Sequence, residues 1–310
     1  MRVEQTIIDA GKQDMSRPKE RPPKNTWKTK MTKSFLQVYQ YAAPKRVAEI
    51  IWGHFTRPIE ARFTPHQRHI MDEAEQSKIT YKGFQLVAYK WGESPKKILL
   101  SHGWNSKIAD FRRMIKHFLE AGFEVHGVDM KAHGRSEGVR SALPEFRDVL
   151  KNYILDKGKF DALVGYSLGG IAGGIAIDEL PVAYRPDQFF LIAAPPYTRY
   201  FFEYVVKNDA GCNHEVYEHL ADMVESHYNE SIDYFDLRLK QETLSNLEMH
   251  LIYDEQDRTV PFSKGKEMKE NFPGAHWVHT KGLGHYKVIA YHEVIEYIAQ
   301  KIEARSKVKV

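Results

Sequence analysis

From residue 79 onward, short apolar runs alternate with stretches in which apolar residues recur every three or four positions. The first signature predicts buried strands and the second amphipathic helices. Ile79 to Tyr81 and Phe84 to Tyr89 flank Lys82-Gly83, a hairpin signal. Strands follow at Lys97 to Ser101, Phe123 to Val128, Ala162 to Gly165, Gln188 to Ala193, Met249 to Tyr253 and His276 to Thr280. Between them lie helical patterns at Phe111 to Phe118, Pro144 to Leu155, Leu168 to Leu180 and Lys264 to Asn271, and a last helix runs from Val288 to about Ala304. Such alternation implies an α/β fold with a mostly parallel central sheet and helices on both faces.

Two regions depart from this rhythm. Residues 197 to 246 hold no convincing strand but carry Tyr197, Tyr200, Phe201, Tyr204, Tyr217, Tyr228, Tyr234 and Phe235 at helical spacings. About fifty residues between two sheet strands is too long for a loop and predicts an inserted helical cap, its aromatics mostly forming its own core. Upstream, residues 1–33 are rich in Lys, Arg and Pro and read as a flexible basic arm. Residues 34–78 read as an N-terminal helical segment packed on the body. Val47, Ile50, Ile51 and Phe55 fit one helical face, and Thr64-Pro65 reads as a cap with proline at the first helical position. The core is then expected over 79–196 and 247–310.

Composition narrows the classes. With 42% hydrophobic and 28% charged residues the chain is ordinarily globular. Its net charge of +4 is concentrated at the N-terminus, where residues 1–34 hold nine Lys/Arg against four Asp/Glu. The near-neutral remainder offers no broad basic surface, so no nucleic-acid partner is expected. The basic arm and first helix leave contact with a membrane surface as the lesser alternative to a solvated tail. Cys212 is the single cysteine, no apolar leader pattern opens the sequence, and no run of about 18 apolar residues occurs, so a cytoplasmic protein without a transmembrane segment is expected. The 15 histidines are dispersed, with no H-E-x-x-H, and Gly-rich phosphate motifs are lacking. Neither a metal nor another cofactor is expected.

The chemistry centres on Gly165-Tyr166-Ser167-Leu168-Gly169. A G-x-S-x-G pattern alone is weak, but this one follows an apolar strand and opens a helix, the setting of a nucleophile elbow. The strained turn would expose the Ser167 hydroxyl, and the helix N-terminus would favour negative charge beside it. His102-Gly103-Trp104 and Asp129-Met130-Lys131-Ala132-His133-Gly134-Arg135-Ser136 stand upstream in the same order as in a known group of proteins. With these motifs the chain from about 79 to 304 resembles an α/β-hydrolase, and within that fold is most similar to esterases, lipases and lysophospholipases. The resemblance implies a serine hydrolase acting on a small-molecule ester.

A serine hydroxyl needs a histidine base held by a carboxylate, and in this fold the chain order is Ser, acid, His. Among histidines beyond the acid strand, His276 and His279 fall within the last predicted strand and His292 within the last helix, whereas His285 lies in a Gly-rich loop. The G-x-G-H ending also matches similar hydrolases. Asp254, Glu255 and Asp257 all follow the strand Met249 to Tyr253. The resemblance favours Asp257 through its D-x-x-V-P arrangement with Val260-Pro261, and Asp254 remains the alternative, either as acid or as a strand-end cap. Two backbone donors for an oxyanion are expected from Leu168 and Trp104, while Asp129 and His133 read as structural. Hydrolysis of a carboxylic ester with an apolar acyl or alkyl group through an acyl-serine is the leading expectation. A thioesterase with the same triad and a non-catalytic small-molecule binder of the same fold are the alternatives. Nothing in the sequence sets the oligomeric state.

Overall fold

The computed structural model describes residues 5–11, 27–59 and 62–308, and the statements below concern these. They form two compact units. The larger comprises the described residues within 1–10, 58–196 and 237–310, and the smaller those within 11–57 and 197–236.

The larger unit is built on nine strands: β1 (Gln5–Asp9), β2 (Glu75–Tyr81), β3 (Phe84–Trp91), β4 (Lys97–Ser101), β5 (Glu124–Val128), β6 (Ala162–Tyr166), β7 (Gln188–Ile192), β8 (Glu248–Asp254) and β9 (His276–Lys281). They run in the order β1-β9-β8-β7-β6-β4-β5-β3-β2. Pairing is parallel except for β2 with β3 and β3 with β5. The hairpin closes where Tyr81 pairs with Phe84, and Lys82 and Gly83 adopt φ of 47° and 85°, both left-handed, as a tight two-residue turn demands.

The strands of β5, β6 and β7 are buried throughout, which is why they read as unbroken apolar runs. Alternate residues face opposite layers. Ile98, Leu100, Val164, Phe190, Ile192, Ile252 and Val278 pack with Met114, Ile115 and Phe118 of α4 (Arg112–Glu120) and with residues of α12 (His292–Val308). On the other face α5 (Leu143–Lys157) packs against α6 (Leu168–Glu179), and the position of Gly173 abuts Leu163 and Phe189. There too Gly265 of α10 (Phe262–Asn271) sits over the Tyr253 ring. A short α3 (Pro65–Asp72) starts as expected at Thr64, whose side chain accepts from Gln67 N while the Gln67 side chain accepts from Thr64 N.

One strand lies inside the segment read as a basic arm. Thr6-Ile7-Ile8 is a β-branched run, and β1 pairs in parallel with β9 from Gln5↔Trp277 to Asp9↔Lys281, burying Ile8 at the sheet edge. Residues 1–4 and 12–26 of that arm lie outside the described residues.

The smaller unit is helical: α1 (Trp27–Tyr39), α2 (Pro44–Phe55), α7 (Arg199–Tyr204), which continues as a π-helical turn over Val205–Ala210, and α8 (His214–Tyr228). The two helical pieces read within 34–78 fall in different units, which divide between Arg57 and Pro58. α2 packs on α8, and Trp52 and Phe55 lie 6.4 Å and 4.9 Å from the Phe202 ring. Val47, Ile51, Val216, Leu220, Val224 and Phe235 complete its core. Asn213 caps α8 by accepting from Val216 N, while its own N–H donates to Gln40 of the N-terminal segment. The expected cap ends as a unit at Asp236; the short helix α9 (Gln241–Leu244) belongs to the sheet unit. No helix among the described residues is long and apolar enough to cross a membrane.

Candidate active site

Ser167 stands between β6 and α6 with φ 52° and ψ −124°, a strained backbone that non-glycine residues rarely adopt. Its N–H donates to Ile192 O at 2.9 Å, which anchors the turn to β7. The flanking glycines are needed for close approach. A β-carbon on Gly165 would lie 2.6 Å from Gly170 Cα, and one on Gly169 would lie 2.3 Å from His102 O. The sequence thus lets α6 enter directly against the ends of β6 and β4, and the elbow follows from that crowding.

His285 lies on α11 (Gly284–Lys287), one helical turn after β9 rather than a fully irregular loop. Its Nδ1 is 2.7 Å from Asp257 Oδ2 and its Nε2 is 3.2 Å from Ser167 Oγ. A carboxylate only accepts, so Nδ1 carries the proton and Nε2 presents its lone pair to the serine hydroxyl. The other carboxylate oxygen of Asp257 accepts from Thr259 N and Val260 N, both at 2.8 Å. Side-chain exposure of 4% for His285 and 1% for Asp257 keeps this chain of hydrogen bonds out of bulk water. Ser167, Asp257 and His285 follow β6, β8 and β9 and converge at one end of the sheet.

Asp254 does not reach the imidazole; it is a clamp. Oδ2 accepts from Thr280 Oγ1 (2.8 Å) and Leu283 N (3.0 Å), and Oδ1 accepts from Gly284 N (2.8 Å) and Gln256 N (2.9 Å). One buried carboxylate therefore ties the Asp257 loop to the His285 turn. Sequence reading also passed over Tyr166, the residue before the serine in the elbow. Its hydroxyl donates to His285 O at 3.2 Å and its ring lies 5.1 Å from the imidazole. A large residue before the serine was the only available signal.

Leu168 opens α6, so its N–H is among the first-turn donors that find no partner inside the helix. The backbone leading into Trp104 presses on Ser167, since a β-carbon on Gly103 would lie 2.9 Å from Ser167 Cβ and 3.2 Å from Tyr166 O. Gly103→Ala is accordingly expected to push this loop away, lowering kcat on an activated ester by about 10- to 100-fold and lowering Tm as well. Steady-state kinetics on an activated ester would check this, and an unchanged kcat would contradict it.

Behind this loop, buried His102 places Nδ1 2.8 Å from Gly103 O while its Nε2 accepts from Met130 N at 3.0 Å. A backbone N–H can only donate, so the Nδ1–H tautomer is fixed. Burial pushes the pKa of His102 down to about 4 and that of His133 down to about 3. Both are neutral at pH 7. Trp104 stands edge-on to His133 at 4.9 Å and tilted on Phe146 at 6.4 Å. Asp129 is fully buried and accepts from Tyr89 Oη, Ile108 N and Arg135 N, each at 2.9 Å. It organises the turn after β5 from within the protein interior.

Comparison with known proteins places these features in context. A family model described as serine aminopeptidase matches residues 92–193, about a third of the chain. No curated protein sequence matches. Among solved structures, an esterase from Pyrococcus furiosus is similar with a TM-score of 0.58 at 18% identity, covering 80% of this chain and 97% of its own. An esterase from Exiguobacterium antarcticum gives 0.57 at 15% identity, covering 74% and 100%. A thioesterase domain from the curacin biosynthetic pathway gives 0.53 at 16% identity, covering 74% and 98%. With a mostly parallel sheet of this order and a strained serine elbow after β6, the chain has the α/β-hydrolase fold.

Proposed function

We propose that the protein is a serine hydrolase that cleaves a carboxylic ester through an acyl-serine intermediate. The observation that carries the proposal is the hydrogen-bonded chain Ser167–His285–Asp257, at 3.2 Å and 2.7 Å. His285 Nε2 takes the hydroxyl proton as Ser167 Oγ attacks the ester carbonyl, and Asp257 stabilises the imidazolium that forms. The N–H groups of Leu168 and Trp104 receive the oxyanion. His285 returns the proton to the leaving alcohol; water, deprotonated by the same imidazole, then releases the acid. Trp104, partly exposed after the Gly103 loop and backed by the buried Phe146 ring, offers an aromatic face, which supports an apolar acyl or alkyl group. The same chemistry serves a thioester, and the similarity to a thioesterase domain makes that the second reading. A cytoplasmic setting belongs to the same proposal, since the buried thiol of Cys212 is unpaired.

A fluorophosphonate probe tests the serine directly. The wild-type chain is expected to label and Ser167→Ala is expected not to. Absence of labelling in the folded wild type would overturn the proposal. Hydrolysis rates on p-nitrophenyl esters of increasing chain length, set against acyl-CoA thioesters, then decide between the two substrate classes.

A further inference from the structure

At the opposite ends of the strands from Ser167, the first residues of β8 and β9 form a cluster the proposed hydrolysis does not use. Glu248 opens β8, His250 follows two residues later on the same face, and His276 opens β9 in register with His250. The register Phe190↔His250↔His276 runs across β7, β8 and β9, and the three rings stack at 4.2 Å and 4.6 Å. Both imidazoles lie beside the Glu248 carboxylate. Glu248 Oε1 lies 3.4 Å from His250 Nε2 and 3.6 Å from His276 Nε2.

Three features separate this cluster from an ordinary polar contact. First, His250 is fully buried and its Nε2 makes no well-aligned hydrogen bond, although Glu248 Oε1 lies 3.4 Å away. An orphaned buried nitrogen is costly and calls for an explanation. Second, its other nitrogen, Nδ1, is held by the Tyr297 hydroxyl of α12 at 2.9 Å, the kind of outer partner that orients a ligating histidine. Third, 3.4 Å and 3.6 Å are long for a hydrogen bond. They are near the edge of a tetrahedron, about 3.3 Å, around an ion with bonds of about 2.0–2.1 Å to nitrogen and oxygen. Arg305 approaches the other carboxylate oxygen at 3.7 Å and leaves Oε1 to the histidines.

We propose that Glu248, His250 and His276 bind one divalent transition ion of the zinc class, with water as the fourth ligand. Two imidazoles and one carboxylate suit zinc and its neighbours rather than magnesium or calcium, which take oxygen donors. The ion is structural: it ties β8 to β9 and, through Tyr297, to the last helix. Sequence motifs missed it because two ligands stand two residues apart on one strand and the third comes from its neighbour. Only the register of β8 and β9 brings them together.

The test uses the full chain, treated with chelator and then titrated with ZnCl2, with MgCl2 in parallel. Calorimetry should give one zinc per chain in a site lost on either substitution below. At a hundredfold excess over the dissociation constant, Tm should rise by about 5 °C with zinc and not with magnesium. Glu248→Gln and His276→Gln change partly exposed ligands and are each expected to weaken zinc binding at least tenfold. Cobalt added to the wild type should give the intense visible bands of a tetrahedral site, a readout that needs no variant. No stabilisation by zinc, an octahedral cobalt spectrum, or equal binding by both folded variants would each overturn the proposal.

Discussion

A His285→Ala variant is expected to lose about 10⁴- to 10⁶-fold in kcat on any ester the wild type hydrolyses, with KM changed far less. The size follows from the geometry. Nε2 of His285 stands 3.2 Å from Ser167 Oγ and is the proposed base. At neutral pH an unassisted serine hydroxyl is almost entirely protonated, so the attack loses its driving base. The oxyanion donors and the binding surface survive the substitution, which is why a residual rate above that of water is expected. Loss of stability is a separate effect, because removing a buried imidazole leaves a cavity and strands Asp257. Measuring kcat well below the variant's Tm isolates the chemistry, and His285→Gln, which keeps most of the volume, should be nearly as inactive. Activity within tenfold of wild type in either variant would remove His285 from the mechanism.

The features that place this histidine were partly legible in the chain. Fully buried parallel strands must be short apolar runs, so Leu163, Phe190 and Ile252 announced β6, β7 and β8 without help from tertiary structure. The elbow was legible for a steric reason: only small residues at 165 and 169 let helix and strand ends approach as closely as they do. What escaped depended on pairings between distant segments. β1 is five residues long, and its partner β9 lies some 270 residues away, so no local periodicity could reveal it. The apolar face of α2 was visible at Val47 and Ile51, but nothing local said that its partner is α8. Near the proposed nucleophile, spacing could nominate Asp254 and Asp257 alike. Their roles separate only once the hydrogen bonds are seen, because one carboxylate faces the imidazole and the other faces four donors, one from β9 and three from two loops.

That division makes Asp254→Ala the substitution with the largest expected cost in stability. Removing the carboxylate leaves the Thr280 hydroxyl and the N–H groups of Gln256, Leu283 and Gly284 without their acceptor in a site where Asp254 is 1% exposed. Each stranded buried donor costs about 1–3 kcal/mol, and water admitted by the small cavity recovers part of it. A net loss of about 4–5 kcal/mol is expected, lowering Tm by about 10 °C in a chain of this size. Activity should fall with stability, but for a different reason. Leu283 and Gly284 lead directly into His285, and freeing them lets the imidazole drift from Ser167, where a displacement of about 1 Å costs about 100-fold in rate. Asp254→Asn keeps one acceptor oxygen but sets an NH2 group against two donors, so it should fall between wild type and alanine in both Tm and kcat. Thermal melts and kinetics on the three proteins would show this ordering. If Asp254→Ala melted within 2 °C of wild type and kept full kcat, the two loops would be held by their own packing rather than by this carboxylate.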